Sequence, residues 1–374
     1  MKKKVGIITF HASHNYGSML QAYALQQVVL GMGFDCEIIN FRTKRQKRMY
    51  RPDFFKGGIF ERLKRLIIQY PYIRQLYKKS FLFESFLKND LILSNKEYAT
   101  LEDLEQETFD YDYFISGSDQ IWNTGCFDFD WAYFLPFVKH GKKIAYAPSM
   151  GPYPGCYGRK DDLMRIVPLL KEYDSLSVRE SGAVDYIHKL FMDEIPIVLD
   201  PTLLLSPKQW NALIAPDPII KDDYIFLYSP KFEPLYSTYE LAEAISKRYG
   251  LKVVLSQVPK YRCTIKRWNN FEIRADVGPK QFLNLCKYAK LVCCDSFHAV
   301  VFSILLQKPF IVFNGMEDSR IADLLNLTGL QSRNIESINE IKGSLFEVDF
   351  SQSLVNISLN SDKSISYLKS VLEV

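Results

Sequence analysis

The residues with the clearest potential for chemistry are Asp295-Ser296-Phe297-His298, which lie between a short apolar strand and an apolar segment of helical length. A second apolar strand at 309–313 follows, so the pattern predicts a βαβ unit. In such a unit, the loop after the first strand opens at a helix N-terminus, where unpaired backbone N–H groups favour an anion. A histidine at this position can contact a bound anion and can also move a proton. This combination suits an enzyme that acts on a phosphorylated substrate.

A histidine in an apolar helix is more commonly a core residue whose nitrogens are satisfied by its neighbours. The position of His298 in the first helical turn, next to Asp295 and Ser296, favours function instead. Cys293 and Cys294 precede this loop in an apolar strand and are predicted to belong to the core.

A second loop at the same type of strand-to-helix junction spans residues 9–18. Gly17 would allow a close approach of the backbone, and Asn15 or Ser13 could cap the following helix. Tyr16 is placed with Asn15 and Gly17 in the candidate binding loop, although a simple capped turn is an equal alternative. The pair His11 and His14 has poor spacing for a metal outside a helix and has no evident third partner, so no metal site is predicted.

The loop 117–123 also follows a predicted strand and combines backbone donors, a hydroxyl and a carboxylate. Ser118, Asp119 and Gln120 are candidates for substrate binding, and Trp122 offers a ring on which a sugar can stack. The alternative is a structural turn with a buried tryptophan.

Arg179 lies at a further strand-to-helix junction and can hold a carboxylate or phosphate through two parallel hydrogen bonds. A salt bridge from Arg179 to Glu180 or to another carboxylate is an equal alternative. The sequence Asp200-Pro201-Thr202 is predicted mainly to shape the edge between two domains, although Asp200 could also face the cleft.

Composition places the chain among ordinary globular proteins and indicates where its charge is concentrated. The chain has 374 residues, 47% hydrophobic content and no apolar run of about 18 residues, so a transmembrane helix is not expected. Seven cysteines without a CxxC pair favour reduced thiols and a cytoplasmic location. Residues 42–79 contain 13 Lys or Arg residues, mixed with aromatic residues, against only Asp53 and Glu61. This segment fits peripheral contact with the inner face of an anionic membrane, and a nucleic-acid patch or a solvated helical hairpin are alternatives.

Alternating strands and helices in two blocks predict an α/β protein with two Rossmann-like, doubly wound domains that face each other across a cleft. The N-terminal domain is expected to span 1–205, with a basic and mostly helical insertion at about 42–110. Its last strands are expected at 175–179 and 195–199. The C-terminal domain is expected to span 206–374. A last helix at 362–373 could pack back on the N-terminal half.

Taken in order, these motifs resemble the polysaccharide pyruvyl transferase family. The matching stretches are GIITFHASHNYGSMLQAYAL at 6–25, SGSDQIWN at 116–123, SVRESGA at 177–183, VLDPTLLL at 198–205 and DSFHAVVFSILLQKPFIVF at 295–313. The resemblance implies a fold like that of the GT-B glycosyltransferases. It also implies a reaction in which a pyruvyl group from phosphoenolpyruvate forms a ketal with two sugar hydroxyls and phosphate is released.

The resemblance places His298 at the family's histidine, whereas the family's Arg-Leu-His is Ser296-Phe297-His298 in this chain. Arg179, Lys308 or Arg320 would replace the missing cation, or the donor or its binding mode would differ. We predict that His298 acts as the acid or the phosphate partner and that Asp119 acts as the base or contacts a sugar hydroxyl. The predicted binding residues are Arg179, Ser296, Asp295, Asn15, Tyr16, Gly17, Ser118, Gln120, Trp122 and Arg320.

The expected partners are phosphoenolpyruvate, as a donor substrate, and a saccharide acceptor of a surface or capsular polysaccharide that could be lipid-linked. No resident cofactor and no nucleic acid are expected. Two other functions share this architecture. One is a glycosyltransferase with a nucleotide-sugar donor, and the other is a non-catalytic module that binds sugar or phosphate.

Overall fold

Two parallel β-sheets, one in each half of the chain, form the frame of the protein in a computed structural model. The structure describes residues 2–50, 58–152, 160–191, 195–230, 236–258, 270–340 and 344–373. Within these ranges, every helix is too short or too polar to cross a bilayer.

The first half contains a five-stranded sheet. Its strands are β1 (Lys4–Ile8), β2 (Asp35–Phe41), β3 (Leu93–Tyr98), β4 (Tyr113–Ser116) and β5 (Lys142–Ala145). They are all parallel and lie in the order β3-β2-β1-β4-β5. The helices of this half and of the connection to the next are α1 (Tyr16–Gly31), α2 (Lys44–Tyr50), α3 (Ile59–Gln69), α4 (Ile73–Asp90), α5 (Leu101–Glu105), α6 (Lys160–Leu170), α7 (Ser181–Phe191) and α8 (Pro207–Ala212).

The second half contains a six-stranded sheet. Its strands are β6 (Tyr224–Tyr228), β7 (Lys252–Leu255), β8 (Phe271–Ile273), β9 (Leu291–Cys294), β10 (Phe310–Phe313) and β11 (Asn334–Ile335), in the order β11-β10-β9-β6-β7-β8. Its helices are α9 (Tyr236–Tyr249), α10 (Pro279–Tyr288), α11 (Phe297–Leu305), α12 (Ser319–Thr328) and α13 (Ser351–Leu372). Strands β6, β9 and β10 are apolar along their whole length because helices cover both faces of a parallel sheet.

The strand orders locate the crevices where ligands bind in this type of fold. The order reverses between β1 and β4 in the first sheet and between β6 and β9 in the second sheet. Loops at the carboxyl ends of such strands form the binding crevice. The candidate loops at 9–18, 117–123 and 295–298 follow β1, β4 and β9, so the topology brings them to the interior edges of the two sheets.

The architecture of two facing Rossmann-like units confirms the fold class expected from the sequence. The region 42–110 differs in detail because Leu93–Tyr98 adds an edge strand, β3, to the first sheet. The strands expected at 175–179 and 195–199 are reduced to single bridges, Ile144 with Ser175 and Val178 with Ile197. The last helix is longer than expected, since it begins at Ser351.

Helix α13 contacts both halves of the chain. In the N-terminal half, the hydroxyl of Ser364 accepts a hydrogen bond from the backbone N–H of Leu199 (3.0 Å), and Glu373 pairs with Lys3 (3.3 Å). In the C-terminal half, Ser353 donates a hydrogen bond to the carbonyl of Thr328 at the end of α12 (2.8 Å). The helix therefore fastens the two halves together on the side of residues 196–203.

Candidate active site

His298 lies in the first turn of α11 and is held between two elements of the N-terminal half. Its side chain is only 11% exposed. On one side its ring contacts Gly17 at the start of α1, and on the other side its Nε2 lies 3.6 Å from a carboxylate oxygen of Asp200. The imidazole is thus buried at the junction of the halves, and its Nε2 has no hydrogen-bond partner among the described residues.

Gly17 is required for this arrangement. A Cβ atom on Gly17 would lie 2.1 Å from Nδ1 of His298, well inside van der Waals contact. Asn15 fixes the helix start beside it, because its Oδ1 accepts hydrogen bonds from the backbone N–H groups of Gly17 (3.0 Å) and Ser18 (3.4 Å). Gly17 therefore allows His298 to approach the backbone closely, and Asn15 caps helix α1.

Asp200 is the central acceptor of the site and is fully buried. Its Oδ2 accepts a hydrogen bond from Nη1 of Arg179 (2.6 Å), and its Oδ1 accepts from the hydroxyl of Thr202 (2.6 Å). Burial alone would raise the pKa of this carboxyl, but His298, then Arg179 and Thr202, outweigh burial and hold that pKa well below its usual range. Because the pKa is lowered on folding, the stability that the Asp200 carboxylate contributes is complete at neutral pH. It declines as the pH falls below about 4, the pKa of an unfolded Asp, toward the lowered pKa of the folded protein.

Arg179 links this carboxylate to the surrounding cavity. Its guanidinium lies 4.8 Å from the ring centroid of Phe297, and its Nε lies 3.5 Å from a carboxylate oxygen of Glu180. Arg179 is thus ion-paired with both Glu180 and Asp200, which is the alternative that the sequence left open. Burial raises the pKa of the Glu180 carboxyl despite the nearby Arg179 and Arg320. Within the described residues, Nη2 of Arg179 is buried and has no hydrogen-bond partner. An unpaired donor of this kind is suited to an anionic ligand.

A cavity of about 430 Å³ lies beside Arg179 and Asp200 between the two halves. Phe297, Arg320 and α12 form one wall, and residues 196–203 with α13 form the others. Arg320 is anchored by Asp318, which accepts hydrogen bonds from its Nε (2.8 Å) and Nη2 (2.5 Å). The cavity therefore has two guanidinium groups at its boundary.

The loop after β4 brings Ser118 and Asp119 to the same junction. The hydroxyl of Ser18 donates a 2.5 Å hydrogen bond to Oδ2 of Asp119, so Asp119 lies at the N-terminus of α1, as Gly17 does. The hydroxyl of Ser118 donates to the carbonyl of Ala147 (2.8 Å) and lies 3.3 Å from Asp200. Gly117 permits this path, since a Cβ there would meet the carbonyl oxygen of Tyr146 at 1.9 Å.

Two predicted binding residues are corrected by their burial. Trp122 is 2% exposed and stacks on Phe134 with ring centroids 5.3 Å apart, so it has no free face for a sugar. Tyr16 is also 2% exposed, and its hydroxyl lies within hydrogen-bond distance of the carbonyl oxygens of Ser256 (3.1 Å) and Val277 (3.2 Å) in the other half. Both residues have a structural role because apolar neighbours enclose their rings.

Other predicted residues support the site from its margins. Asp295 accepts a hydrogen bond from the hydroxyl of Ser229 (2.6 Å), which ties the loops after β6 and β9 together. Ser296 occupies the N-cap position of α11, but its side chain makes no hydrogen bond to the helix. Gln120 is half-buried and accepts a hydrogen bond from Asn123 (3.0 Å). The hydrogen bonds given above for Asp295 and Gln120 are to residues other than His298. Ser296 lies two positions before His298, at the start of the same helix.

Lys308 is excluded as the replacement for the missing cation. It lies just before β10, and its nearest charged neighbours include Lys287 and Lys290, which precedes β9. The amino ends of parallel strands lie at the sheet edge opposite His298. Arg179 and Arg320 remain as the cations that border the site.

The two histidines of the first loop have protein partners. Nδ1 of His11 donates to the carbonyl of Thr9 (3.1 Å), whereas Nε2 of His14 lies 3.3 Å from Glu84. Burial lowers the pKa of His11 to about 4. In the part of the chain that the structure describes, no three His, Cys, Asp or Glu side chains group closely enough to hold a metal ion.

From the sequence, Asp200 was expected mainly at the edge between the domains and only as an alternative in the cleft, and Asp318 was not predicted. Asp200 follows a predicted strand and precedes Pro201, so its position in the chain carried a signal, but only the fold shows that it reaches His298. Asp318 lies two residues before Arg320 and belongs to none of the motifs found in the sequence.

Comparisons with solved structures show the fold of this chain. It is similar to Staphylococcus aureus MnaA determined with UDP, with a TM-score of 0.55, 11% identity and coverage of 100% of this chain and 97% of that chain. A putative UDP-N-acetylglucosamine 2-epimerase from Listeria monocytogenes has a TM-score of 0.52 and 11% identity, with coverage of 98% and 90%. A UDP-GlcNAc 2-epimerase from Neisseria meningitidis has a TM-score of 0.51 and 12% identity, with coverage of 100% of both chains. At these identities the likeness concerns the fold alone.

A sequence search of curated proteins gave no match. The sequence model of the polysaccharide pyruvyl transferase family matches residues 15–315, which include α1, Asp119, Arg179, Asp200 and His298. This match covers most of the chain and agrees with the motifs in the sequence. The chain is therefore a transferase that belongs to the polysaccharide pyruvyl transferase family.

Proposed function

We propose that this protein transfers the pyruvyl group of phosphoenolpyruvate to two hydroxyls of a saccharide, forming a ketal and releasing phosphate. Family membership supports the reaction class. One observation supports the roles proposed for the residues. The buried His298 lies between Gly17 and Asp200, and Nη2 of the nearby Arg179 has no hydrogen-bond partner among the described residues.

The donor has two anionic groups, a carboxylate and a phosphate, and the site offers separate contacts for such groups. Nη2 of Arg179 is one, and the backbone N–H groups at the start of α11, next to Ser296, are another. Arg320, oriented by Asp318, lies on the boundary of the same cavity. We propose that Arg179 and Arg320 supply the positive charge that the family's missing arginine would provide.

His298 supplies the proton in the first step. Its imidazolium protonates the methylene carbon of phosphoenolpyruvate, and the oxygen of one acceptor hydroxyl forms a bond with the neighbouring carbon. The bond between that carbon and the phosphate oxygen then breaks, and phosphate leaves with the electron pair. The second hydroxyl adds to the same carbon and completes the ketal. One hydroxyl proton restores the imidazolium, and the other leaves with the phosphate.

Asp200 and Asp119 have different roles in this mechanism. Asp200 positions His298, because its carboxylate remains ionised and lies 3.6 Å from Nε2 of the imidazole. Asp119 accepts a proton from an acceptor hydroxyl and passes it to the departing phosphate, or it orients that hydroxyl, from its place beside Ser18. The proposed reaction needs no resident cofactor, because phosphoenolpyruvate is itself a substrate.

The acceptor is proposed to be a precursor of a surface or capsular polysaccharide, carried on a lipid at the cytoplasmic face of a membrane. Five of the seven cysteines lie in the described residues, and none of these five forms a disulfide. Free thiols of this kind support a reducing compartment. Peripheral membrane contact through the region 42–79 would bring the enzyme to a lipid-linked acceptor.

Replacement of the proposed acid tests the function. His298→Ala should lower the release of phosphate from phosphoenolpyruvate, in the presence of saccharide acceptors, by about 10²-fold or more. His140→Ala, at an exposed histidine, is the matched control and should retain activity. A His298→Ala enzyme that folds normally and retains activity within a few-fold of wild type would refute the role of His298.

Ligand binding separates the proposal from the alternatives. Phosphoenolpyruvate should raise the melting temperature of the protein, whereas a nucleotide diphosphate should not. The reverse result would favour a glycosyltransferase with a nucleotide-sugar donor. Glycan binding without turnover of any phosphorylated donor would favour a non-catalytic module.

A further inference from the structure

Large apolar side chains are exposed in an unusual concentration on α3, α4 and the short turn between them. Among the described side chains, seven such residues lie within 23 positions, and Phe60 (84% exposed) and Phe81 (69% exposed) are among them. The seven form what we call the α3–α4 face: Ile59, Phe60, Leu63, Ile67, Tyr70, Tyr77 and Phe81. Clustered exposed apolar residues generally mark a contact surface.

Helix geometry places these side chains on common faces. With 3.6 residues per turn, Ile59, Leu63 and Ile67 point in similar directions, and Phe60 lies within an arc of roughly 100° from them. On α4, Tyr77 and Phe81 are one turn apart, whereas the buried Phe83, Phe86 and Leu87 pack against the rest of the protein. The α3–α4 face is therefore directed away from the core.

The segment of the chain that contains this face is strongly basic. The region 42–79 has 13 basic residues against two acidic ones. Some of them are engaged within the protein, since Arg42 pairs with Glu84 (2.6 Å) and Lys78 pairs with Asp276 (2.8 Å). Lys44, Arg48 and Arg74, by contrast, are exposed and make no ion pair with any described residue. Residues 51–57, which include Arg51 and Lys56, lie outside the described residues.

We propose that the α3–α4 face docks on the surface of a bilayer that contains anionic phospholipid. Aromatic and aliphatic side chains enter the boundary between headgroups and acyl chains, and the flanking basic residues contact the anionic headgroups. A symmetric dimer through the same face is disfavoured, because it would bring two strongly basic surfaces together. This proposal refines the expectation for residues 42–79 and does not depend on pyruvyl transfer.

Vesicle sedimentation with the full-length protein tests the proposal. The protein should sediment with vesicles of mixed phosphatidylglycerol and phosphatidylcholine, and about tenfold or more weakly with phosphatidylcholine alone. The double variant Phe60→Ser and Phe81→Ser should bind the anionic vesicles at least about tenfold more weakly than wild type. Lys44→Glu with Arg48→Glu should have a comparable effect, and this effect should diminish at high salt.

Two matched controls make the result specific. Val355→Ser with Leu359→Ser removes two exposed apolar residues from α13, and Lys171→Glu with Lys221→Glu reverses two exposed charges elsewhere. Both controls should sediment like wild type. Failure of wild type to bind anionic vesicles would overturn the proposal, and so would equal losses in the controls. A concentration-dependent dimer that Phe60→Ser and Phe81→Ser abolish, without vesicle binding, would assign the face to a second copy of the chain.

Discussion

At the scale of single residues, the site depends on polar contacts between side chains that are far apart in the sequence. His298 belongs to the C-terminal half, whereas Asp200 and Arg179 belong to the N-terminal half. The sequence predicted His298 and Arg179 because each follows a strand and has a side chain suited to an anion. It also predicted Trp122 as a stacking surface, but local pattern does not reveal that Phe134 covers this ring.

Asp200 permits a test that distinguishes positioning from mere stability. Asp200→Asn keeps the shape of the side chain but removes the negative charge that faces His298 and Arg179. We expect kcat to fall by about tenfold or more while KM for phosphoenolpyruvate changes little, because a misplaced acid slows the chemical step. Steady-state kinetics together with thermal unfolding provide the measurement.

Asp276→Asn is the matched control for this variant. Asp276 is also ion-paired, with Lys78 and Arg274, but it lies outside the site. Its kcat should be unchanged. If Asp200→Asn only lowered the melting temperature and its folded fraction kept the kcat of wild type, Asp200 would serve only to stabilise the fold.

At the scale of secondary-structure elements, the alternation of apolar strands and helices was sufficient to predict both sheets. The elements that were missed or misjudged are short or peripheral. Strand β3 has polar residues at its centre, and β11 has only two residues, so neither carries a clear apolar pattern. The strand at 195–199 is reduced to a bridge next to Pro196, which has no backbone N–H to donate.

The start of α1 yields a test of the close approach between the halves. Gly17→Ala is compatible with a helix, but its methyl group would overlap the ring of His298. We expect the ring to be displaced and kcat/KM to fall by about 10²-fold. Steady-state kinetics with phosphoenolpyruvate, together with thermal unfolding, would measure the effect.

Gly31 in the same helix is the matched control, since a Cβ there meets no atom within 4 Å. Gly31→Ala should retain activity and should stabilise the protein by about 0.5–1 kcal/mol, because alanine favours the helix. If Gly17→Ala were as active as Gly31→Ala, His298 would not need the position that the structure gives it.

At the scale of the whole molecule, the two halves share one hydrophobic core. One cluster of buried residues includes Ile7 and Leu25 from the first half and Phe226 and Phe302 from the second. The ring of Tyr16 stacks on Phe282 with centroids 4.7 Å apart, and Trp210 in the connecting helix α8 packs on Phe302. The site is formed at this junction, so its geometry depends on how firmly the halves are held together.

Tyr16 connects the stability of the junction with activity. Tyr16→Phe retains the buried ring but removes the hydroxyl that lies within hydrogen-bond distance of the carbonyls of Ser256 and Val277 in the other half. We expect the free energy of unfolding to fall by about 1–2 kcal/mol, because buried carbonyl groups lose their donor.

Tyr224→Phe is the matched control. It removes a similar buried hydrogen bond, to the carbonyl of Leu285 (2.8 Å), but within one half, and it should lower the free energy of unfolding by a similar amount. Since Tyr16 adjoins Gly17, only Tyr16→Phe should also lower kcat/KM, by several-fold. Urea unfolding and steady-state kinetics on both variants would measure these effects, and an equal loss of activity in Tyr224→Phe would contradict a special role for the junction.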